Sequence, residues 1–178
     1  KFQEILVEHE LIDSLNPEIR YAGLAEGPGG FVECFINYRR SCFKDTHDHI
    51  YCITLKESTT GKKSKATHSE KTSNNIVPEW DKIQKLLSGR KKTKADIILS
   101  YGKDGTGNLY SLENIKYFRK EVIDNGGPVD LVSGDGGLDY SINFNYQEQM
   151  SFHLIFCEIV SALSILKKGG SFVLKIFD

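Results

Sequence analysis

A lysine inside an apolar run is the first residue that needs a chemical reason. In Ser171-Phe172-Val173-Leu174-Lys175-Ile176-Phe177, alternation puts Phe172, Leu174 and Ile176 on one face and Lys175 on the other. An ammonium near the carboxyl end of a buried strand is costly unless it faces a cleft. A second apolar run, 129–134, ends in Asp135-Gly136-Gly137. Asp135 either caps the loop after a strand or serves a site. Between a short apolar run and a helical pattern lies Ala25-Glu26-Gly27-Pro28-Gly29-Gly30-Phe31. Glycines there let the backbone approach a ligand, and the helix start offers free N–H groups. The spacing is neither the GxGxxG of a dinucleotide site nor the GK[ST] ending of a phosphate loop. Pro28 stiffens the turn. Taken alone, the segment is also read as a tight strand-to-helix connection.

The elements that would position these residues follow from periodicity. Residues 2–15 carry apolars at Phe2, Ile5, Leu6, Leu11, Ile12 and Leu15, which predicts a helix stopped at Asn16-Pro17. Strands are expected over 21–26, 49–55, 95–100, 129–135 and 171–177, and helices over 31–39, 78–87, 112–123 and 147–166. The last helix is closed by Lys167, Lys168 and Gly169-Gly170, residue types that suit a helix C-terminus. Residues 56–77 read as a polar surface loop and 102–108 as a glycine-rich one. Strand and helix alternate with no repeat or linker. The predicted fold is therefore α/β, a mostly parallel sheet with helices on both faces and ligands at the carboxyl ends of the strands.

With the motifs in place, the chain resembles the FtsJ-like S-adenosylmethionine (SAM) ribose 2′-O-methyltransferases, whose fold is Rossmann-like. AEGPGGF at 25–31 is similar to the family's D/A-x-x-PGG-F/W loop. DLVSGDGG at 130–137 is similar to its D-L-V-x-x-D-G-G, whose second acid is catalytic. GGSFVLKIFD at 169–178 is similar to its GG-x-F-V-x-K-x-F strand, whose lysine is catalytic. The nearest branch is that of the mRNA cap-1 ribose methyltransferases of eukaryotes and large DNA viruses. ITLK at 53–56, DGTGNLYSLENI at 104–115, DGGLD at 135–139 and LKIFD at 174–178 point to it.

The resemblance implies transfer of a methyl group from SAM to a ribose 2′-OH, on the first transcribed nucleotide of capped mRNA, by a Lys-Asp-Lys-Glu mechanism. The hydroxyl must lose its proton as it attacks, so positioning and a base both contribute. A lysine serves as base only if its pKa falls from about 10.4 toward neutrality; burial and a second lysine lower it, while a carboxylate raises it but orients the amine. Lys175 matches the base, Asp135 its orienting partner, and Lys1, at the start of Lys1-Phe2-Gln3-Glu4-Ile5, the first lysine. The glutamate falls beyond Asp178 in family order, so the chain is expected to be a C-terminally truncated piece, one methyltransferase domain over 1–178. Ala25, Glu26, Gly27, Pro28, Gly29, Gly30 and Phe31 would line the methionine part of SAM, with Asp135 beside the methyl. Asn108 and Leu109 would border the adenosine, where Asp104 is an alternative.

The composition fits a globular protein. It has 178 residues, 39% apolar and 26% charged, and a net charge of −1 that excludes a uniformly polycationic surface. No apolar run is long enough to span a membrane. Cys34, Cys42, Cys52 and Cys157 include no CxxC pair, so no metal site is expected, and with nothing suggesting secretion they read as reduced thiols. Basic clusters at Lys56, Lys62, Lys63, Lys65 and Lys71, and at Lys82, Lys85, Arg90, Lys91, Lys92 and Lys94, are either RNA-tracking or merely solvated. Tyr140, Phe144 and Tyr146 are candidates to stack on a base. His153 and Glu158 are expected to be satisfied core polars. The expected partners are capped mRNA or other RNA and a protein of the capping machinery, with no membrane. The expected compartment is intracellular: the cytoplasm for a viral enzyme, the nucleus for a cellular one. Two alternatives stand beside this function, a ribosomal or transfer RNA ribose methyltransferase and a non-catalytic SAM-fold scaffold that binds RNA.

Overall fold

The computed structural model describes residues 1–13, 16–27, 29–42, 45–56, 80, 83, 85–86, 94–137 and 147–176. In chain order its elements are α1 (Phe2–Glu8), β1 (Arg20–Leu24), α2 (Gly30–Cys42), β2 (His47–Ile53), β3 (Lys94–Ser100), α3 (Leu112–Asp124), β4 (Val129–Gly134), α4 (Gln147–Ile165) and β5 (Leu166–Leu174). The strands form one five-stranded sheet in the order β3-β2-β1-β4-β5, and every described pairing is parallel. This is the Rossmann-like α/β arrangement expected above, with the chain reversing direction across the sheet between β1 and β4.

Strand alternation divides the apolar residues between two cores. Tyr21, Ile50, Cys52 and Leu131 face α1 and α2, where they pack with Phe2, Leu6, Val32, Phe35 and Ile36. Trp80 and Ile83, both helical, are buried in the same core, in keeping with the helix expected over 78–87. Ala22, Leu24, Tyr51, Ile53 and Val132 face the other way, against Ile115, Phe118 and Val122 of α3 and Cys157, Ala162 and Ile165 of α4. Both faces of a parallel sheet are thus covered, as its near-continuous apolar strands require.

Most boundaries shift by a few residues from the sequence expectation, as β2 does from 49–55 to His47–Ile53, and two shift furthest. α1 stops at Glu8 rather than running to 15, because Glu10 takes a left-handed conformation (φ +48°) and the Leu11 N–H returns to the Leu6 carbonyl. Ile12 keeps the helical period but enters the core from a non-helical segment. At the other end, Lys167 to Gly170 belong to the start of β5 rather than to a helix cap. Val129 pairs with Leu166 and Leu131 with Ser171, so the strand bulges over these residues, with Gly169 at φ +80°.

Two polar joints lock helices to strands. Arg39 of α2 is fully buried, and its guanidinium donates to both carboxylate oxygens of Asp48 on β2, at 2.8–3.1 Å, and to the Asn16 carbonyl. Asp48 also accepts the Ile19 N–H. Arg20 of β1 donates to the carbonyls of Val122, Asn125, Gly127 and Pro128 at the end of α3 and lies over the Tyr51 ring. No described helix is long and apolar enough to cross a membrane.

Candidate active site

β1, β4 and β5 are neighbours in the sheet, so the residues just past their carboxyl ends meet. The backbone pairing extends into these residues: Glu26 N–H donates to Ile53 O, Asp135 N–H to Leu24 O and Lys175 N–H to Gly134 O, at 3.2, 3.3 and 2.9 Å. Lys175 Nζ lies 2.6 Å from Asp135 Oδ1 and donates to the Asp135 carbonyl at 2.9 Å. Their side chains are 38% and 22% exposed, so the pair opens to solvent rather than being sealed in the core. The two residues singled out for a base and its orienting acid are therefore in contact, and Lys175 sits just past the end of β5 rather than inside it.

The turn after β1 is strained and closely packed. Ala25 has φ +51°, a conformation a side chain rarely adopts, and the Gly27 N–H folds back to the Ala25 carbonyl at 3.0 Å. Glu26 then points inward. It is 1% exposed, and its Oε1 accepts the Phe31 N–H at 3.0 Å, capping the start of α2. Its other oxygen, Oε2, is buried without a hydrogen-bond partner. Burial pushes the Glu26 carboxyl up to about 7; the Asp135 charge adds to the rise, while the Phe31 N–H and the Lys175 charge oppose it. Gly29 sits at φ +97°, where a Cβ would stand 2.4 Å from Ile83, whereas a Cβ on Gly30 would meet nothing within 4 Å. The start of α2 is therefore closed on its Trp80–Ile83 side and open at Gly30. Pro28 lies outside the described residues.

Glu158 of α4 reaches the same place, and the sequence reading missed it. It is fully buried, and its Oε1 accepts the Gly136 N–H at 2.9 Å, bracing the peptide that follows Asp135. Its Oε2, like that of Glu26, is buried without a partner, so it is a core acid but not a satisfied one. Burial pushes its carboxyl to about 7, with the Gly136 hydrogen bond and Lys175 opposing and Asp135 adding. Gly134 and Gly136 leave room for it: a Cβ there would stand 3.1 and 2.8 Å from Glu158 Oε1. The available signal was one carboxyl in a helical stretch, Ile155 to Leu166, otherwise made of apolar residues and two serines.

The remaining expected residues divide. Phe31 stacks on Phe2 with ring centroids 4.4 Å apart, which puts α1 against the glycine turn. Lys1, one residue before Phe2, is exposed. No described contact joins Lys1 to Asp135 or Lys175. Leu109 is buried, whereas Asn108 is exposed and its Oδ1 accepts the Tyr110 N–H. Asp104 is tied within its own loop: Thr106 donates from its hydroxyl and its N–H, and Asn114 from its amide. These bonds hold the Asp104 carboxyl below its ordinary range. Lys56 lies beyond the carboxyl end of β2, over the Tyr101 ring, while Lys94 opens β3 at the opposite end of the sheet. His153 is exposed and stacks on Tyr110, so it is not a core residue. Of the two basic clusters only Lys56, Lys85 and Lys94 are described; Tyr140, Phe144 and Tyr146 lie outside the described residues.

Comparison with known proteins places the chain in a family. A model of the FtsJ-like methyltransferase family matches residues 1–178. The cap-specific mRNA (nucleoside-2′-O-)-methyltransferase 1 of Mus musculus is 31% identical over 160 residues, covering 89% of this chain and 16% of its own length. The protein of the same name in Homo sapiens is 30% identical over 171 residues, covering 94% of this chain and 18% of its own. That of Leishmania braziliensis is 42% identical over 81 residues, covering 44% of this chain and 20% of its own. The chain thus corresponds to about a fifth or less of these relatives.

Proposed function

The chain belongs to the FtsJ-like methyltransferase family, and from that premise we propose that it carries the reaction core of a SAM-dependent RNA ribose 2′-O-methyltransferase acting on capped mRNA. The observation that carries the reading is the Lys175–Asp135 pair at adjacent strand ends, 2.6 Å apart and open to solvent. A ribose hydroxyl is a weak nucleophile, so an enzyme that alkylates it needs a proton acceptor held in place. Lys175 would take that proton at Nζ as the neutral amine, with Asp135 fixing its direction. Relatives named for cap-specific mRNA methylation supply the substrate proposed here.

The residues of the glycine turn fit SAM. When bound, SAM supplies an electrophilic methyl group on sulfur. The partnerless Glu26 Oε2 is a buried acceptor suited to an ammonium group. The open start of α2 at Gly30 suits a carboxylate, because the space there is clear and the helix dipole favours an anion. Ala25 and Gly27 shape the turn. Asn108 and Leu109 would border the adenosine, and Lys1 would join Lys175 and Asp135 from the neighbouring end of α1. Lys56 would meet RNA phosphates.

The test uses the full-length gene product with labelled SAM and three short RNAs: uncapped, m7G-capped, and m7G-capped with the first ribose already methylated. Transfer only to the unmethylated capped RNA, abolished by Lys175→Ala while SAM binding persists, is the expected result. Transfer to uncapped structured RNA would favour a ribosomal or transfer RNA substrate. SAM binding with no transfer to any RNA would favour a scaffold.

A further inference from the structure

A second set of polar side chains meets at the amino ends of the strands, opposite the site described above. β2 opens with His47-Asp48-His49. Alternation puts the two histidines on one face and Asp48 on the other, where Arg39 holds it. The register pairs His49 with Asp96 of β3. Asp96 Oδ2 lies 2.6 Å from His47 Nε2 and 3.7 Å from His49 Nδ1, and one donor atom from each of the three residues lies within 4.8 Å of the others. The other nitrogen of His49, Nε2, is 3.4 Å from Glu18 Oε1. His47 and Asp96 are more than half exposed, so a solute can enter. Two cations neighbour the group by register. Lys94 pairs with His47, and Arg20 pairs with His49 but turns its guanidinium away to the carbonyls at the end of α3.

We propose that His47 Nε2, His49 Nδ1 and Asp96 Oδ2 form a site for one divalent transition-metal ion, zinc being the best fit, with Glu18 as the carboxylate behind His49. Tetrahedral zinc holds N and O ligands at about 2.0–2.2 Å, which places the ligand atoms about 3.3–3.6 Å apart. The observed 2.6 and 3.7 Å separations bracket that spacing and the third is within 4.8 Å, so side-chain rotations bring the set to it. Two imidazoles and one carboxylate select zinc, cobalt, nickel or copper over magnesium or calcium, which prefer all-oxygen sets. Glu18 stands 3.4 Å behind His49 Nε2, where it would accept the Nε2–H of the tautomer that binds a metal ion through Nδ1. Water completes the fourth position. The ion ties the start of β2 to β3 and to the segment entering β1. It lies at the wrong end of the sheet to touch the Lys175–Asp135 pair, so its role is to clamp this edge. In sequence the two β2 histidines are a short spacing, and only the β3 register brings Asp96 to them.

The test is a titration of the metal-stripped full chain with Co²⁺, followed by Zn²⁺. The expected result is one equivalent of Co²⁺ with visible absorption of a low-coordinate site, no near-ultraviolet thiolate charge-transfer band, and displacement by one equivalent of Zn²⁺. Zinc should also raise the thermal midpoint in a concentration-dependent way. His47→Ala, His49→Ala and Asp96→Asn should each weaken binding at least about tenfold, and Glu18→Gln about tenfold, as loss of an outer carboxylate does. Circular dichroism without metal checks that each variant folds, and the near-isosteric Asp96→Asn serves if a histidine variant does not. Affinity unchanged in these variants, a thiolate band, or wild-type binding no tighter than that of His47→Ala would overturn the proposal.

Discussion

The Glu158 carboxyl is fully buried beside Asp135 and Lys175, and that position makes its cost depend on pH. Glu26 and Glu158 both stand near 7 in the folded chain, against 4.5 as the ordinary value. A folded-state value above the unfolded one means that the native state binds the proton more tightly. The stabilisation is then complete below about 4.5 and is lost as pH rises through about 7, with a ceiling on the order of 3 kcal/mol for each group. The thermal midpoint of the ligand-free chain should therefore fall between pH 5 and 8 through these two groups. Glu158→Gln should match the wild type near pH 5 and exceed it near pH 8, and Glu26→Gln should do the same; superimposable midpoint profiles would refute the assignment. Asp135→Asn keeps the shape but removes the charge that orients Lys175. It should lower methyl transfer at least about 100-fold, within the range of general acid–base contributions, and leave the SAM dissociation constant nearly unchanged.

At the level of elements, the loops that frame the site are held by close approaches rather than by apolar mass. Residues 101–109 dock on the segment leaving β2: Lys56 N–H donates to Thr106 O at 2.8 Å, and a Cβ on Gly107 would stand 1.7 Å from the Thr54 carbonyl oxygen. Gly107 is also at φ +70°, so a side chain is excluded on both counts. Gly107→Ala should cost about 2 kcal/mol or more, seen as a lower urea midpoint with little change in slope. Arg39 acts on the other face. Replacing it with Met leaves Asp48 buried and unpaired and should cost roughly 3–5 kcal/mol, whereas replacing both partners with apolar residues should recover much of the loss. Equal losses in the single and double variants would show that the joint acts through packing alone.

Across the whole molecule, charge and apolar exposure act together. The net charge is −1 and the sequence pI about 6.6, while α4 exposes Phe152, Phe156 and Leu163 at 69%, 54% and 70%. A nearly neutral chain with an apolar helical stripe should self-associate most near pH 6.6. Light scattering should show that maximum, and Phe152→Ser with Phe156→Ser should reduce it. Much of this architecture was legible in the sequence. The alternation of strands and helices emerged from period and turn chemistry, Lys175 stood out because a charge inside an apolar run is expensive, and Asp135 stood out only through its resemblance to the family motif. What stayed hidden was non-local. Glu158 reads as one polar residue in an apolar helix until β4 places Gly136 against it. His47, His49 and Asp96 meet only through the β2–β3 register. The early end of α1 depends on a left-handed Glu10 that no propensity marks. The bulge in β5 has a further consequence, for descent rather than for catalysis. Shifting a strand by one residue turns each side chain to the opposite face, so an added or deleted residue ahead of Lys175 would ordinarily swing its amine out of the cleft. Because Lys167 to Gly170 already stand out of register between two paired stretches, length changes there can be absorbed locally. Lineages can thus vary this connection without retuning the lysine it leads to.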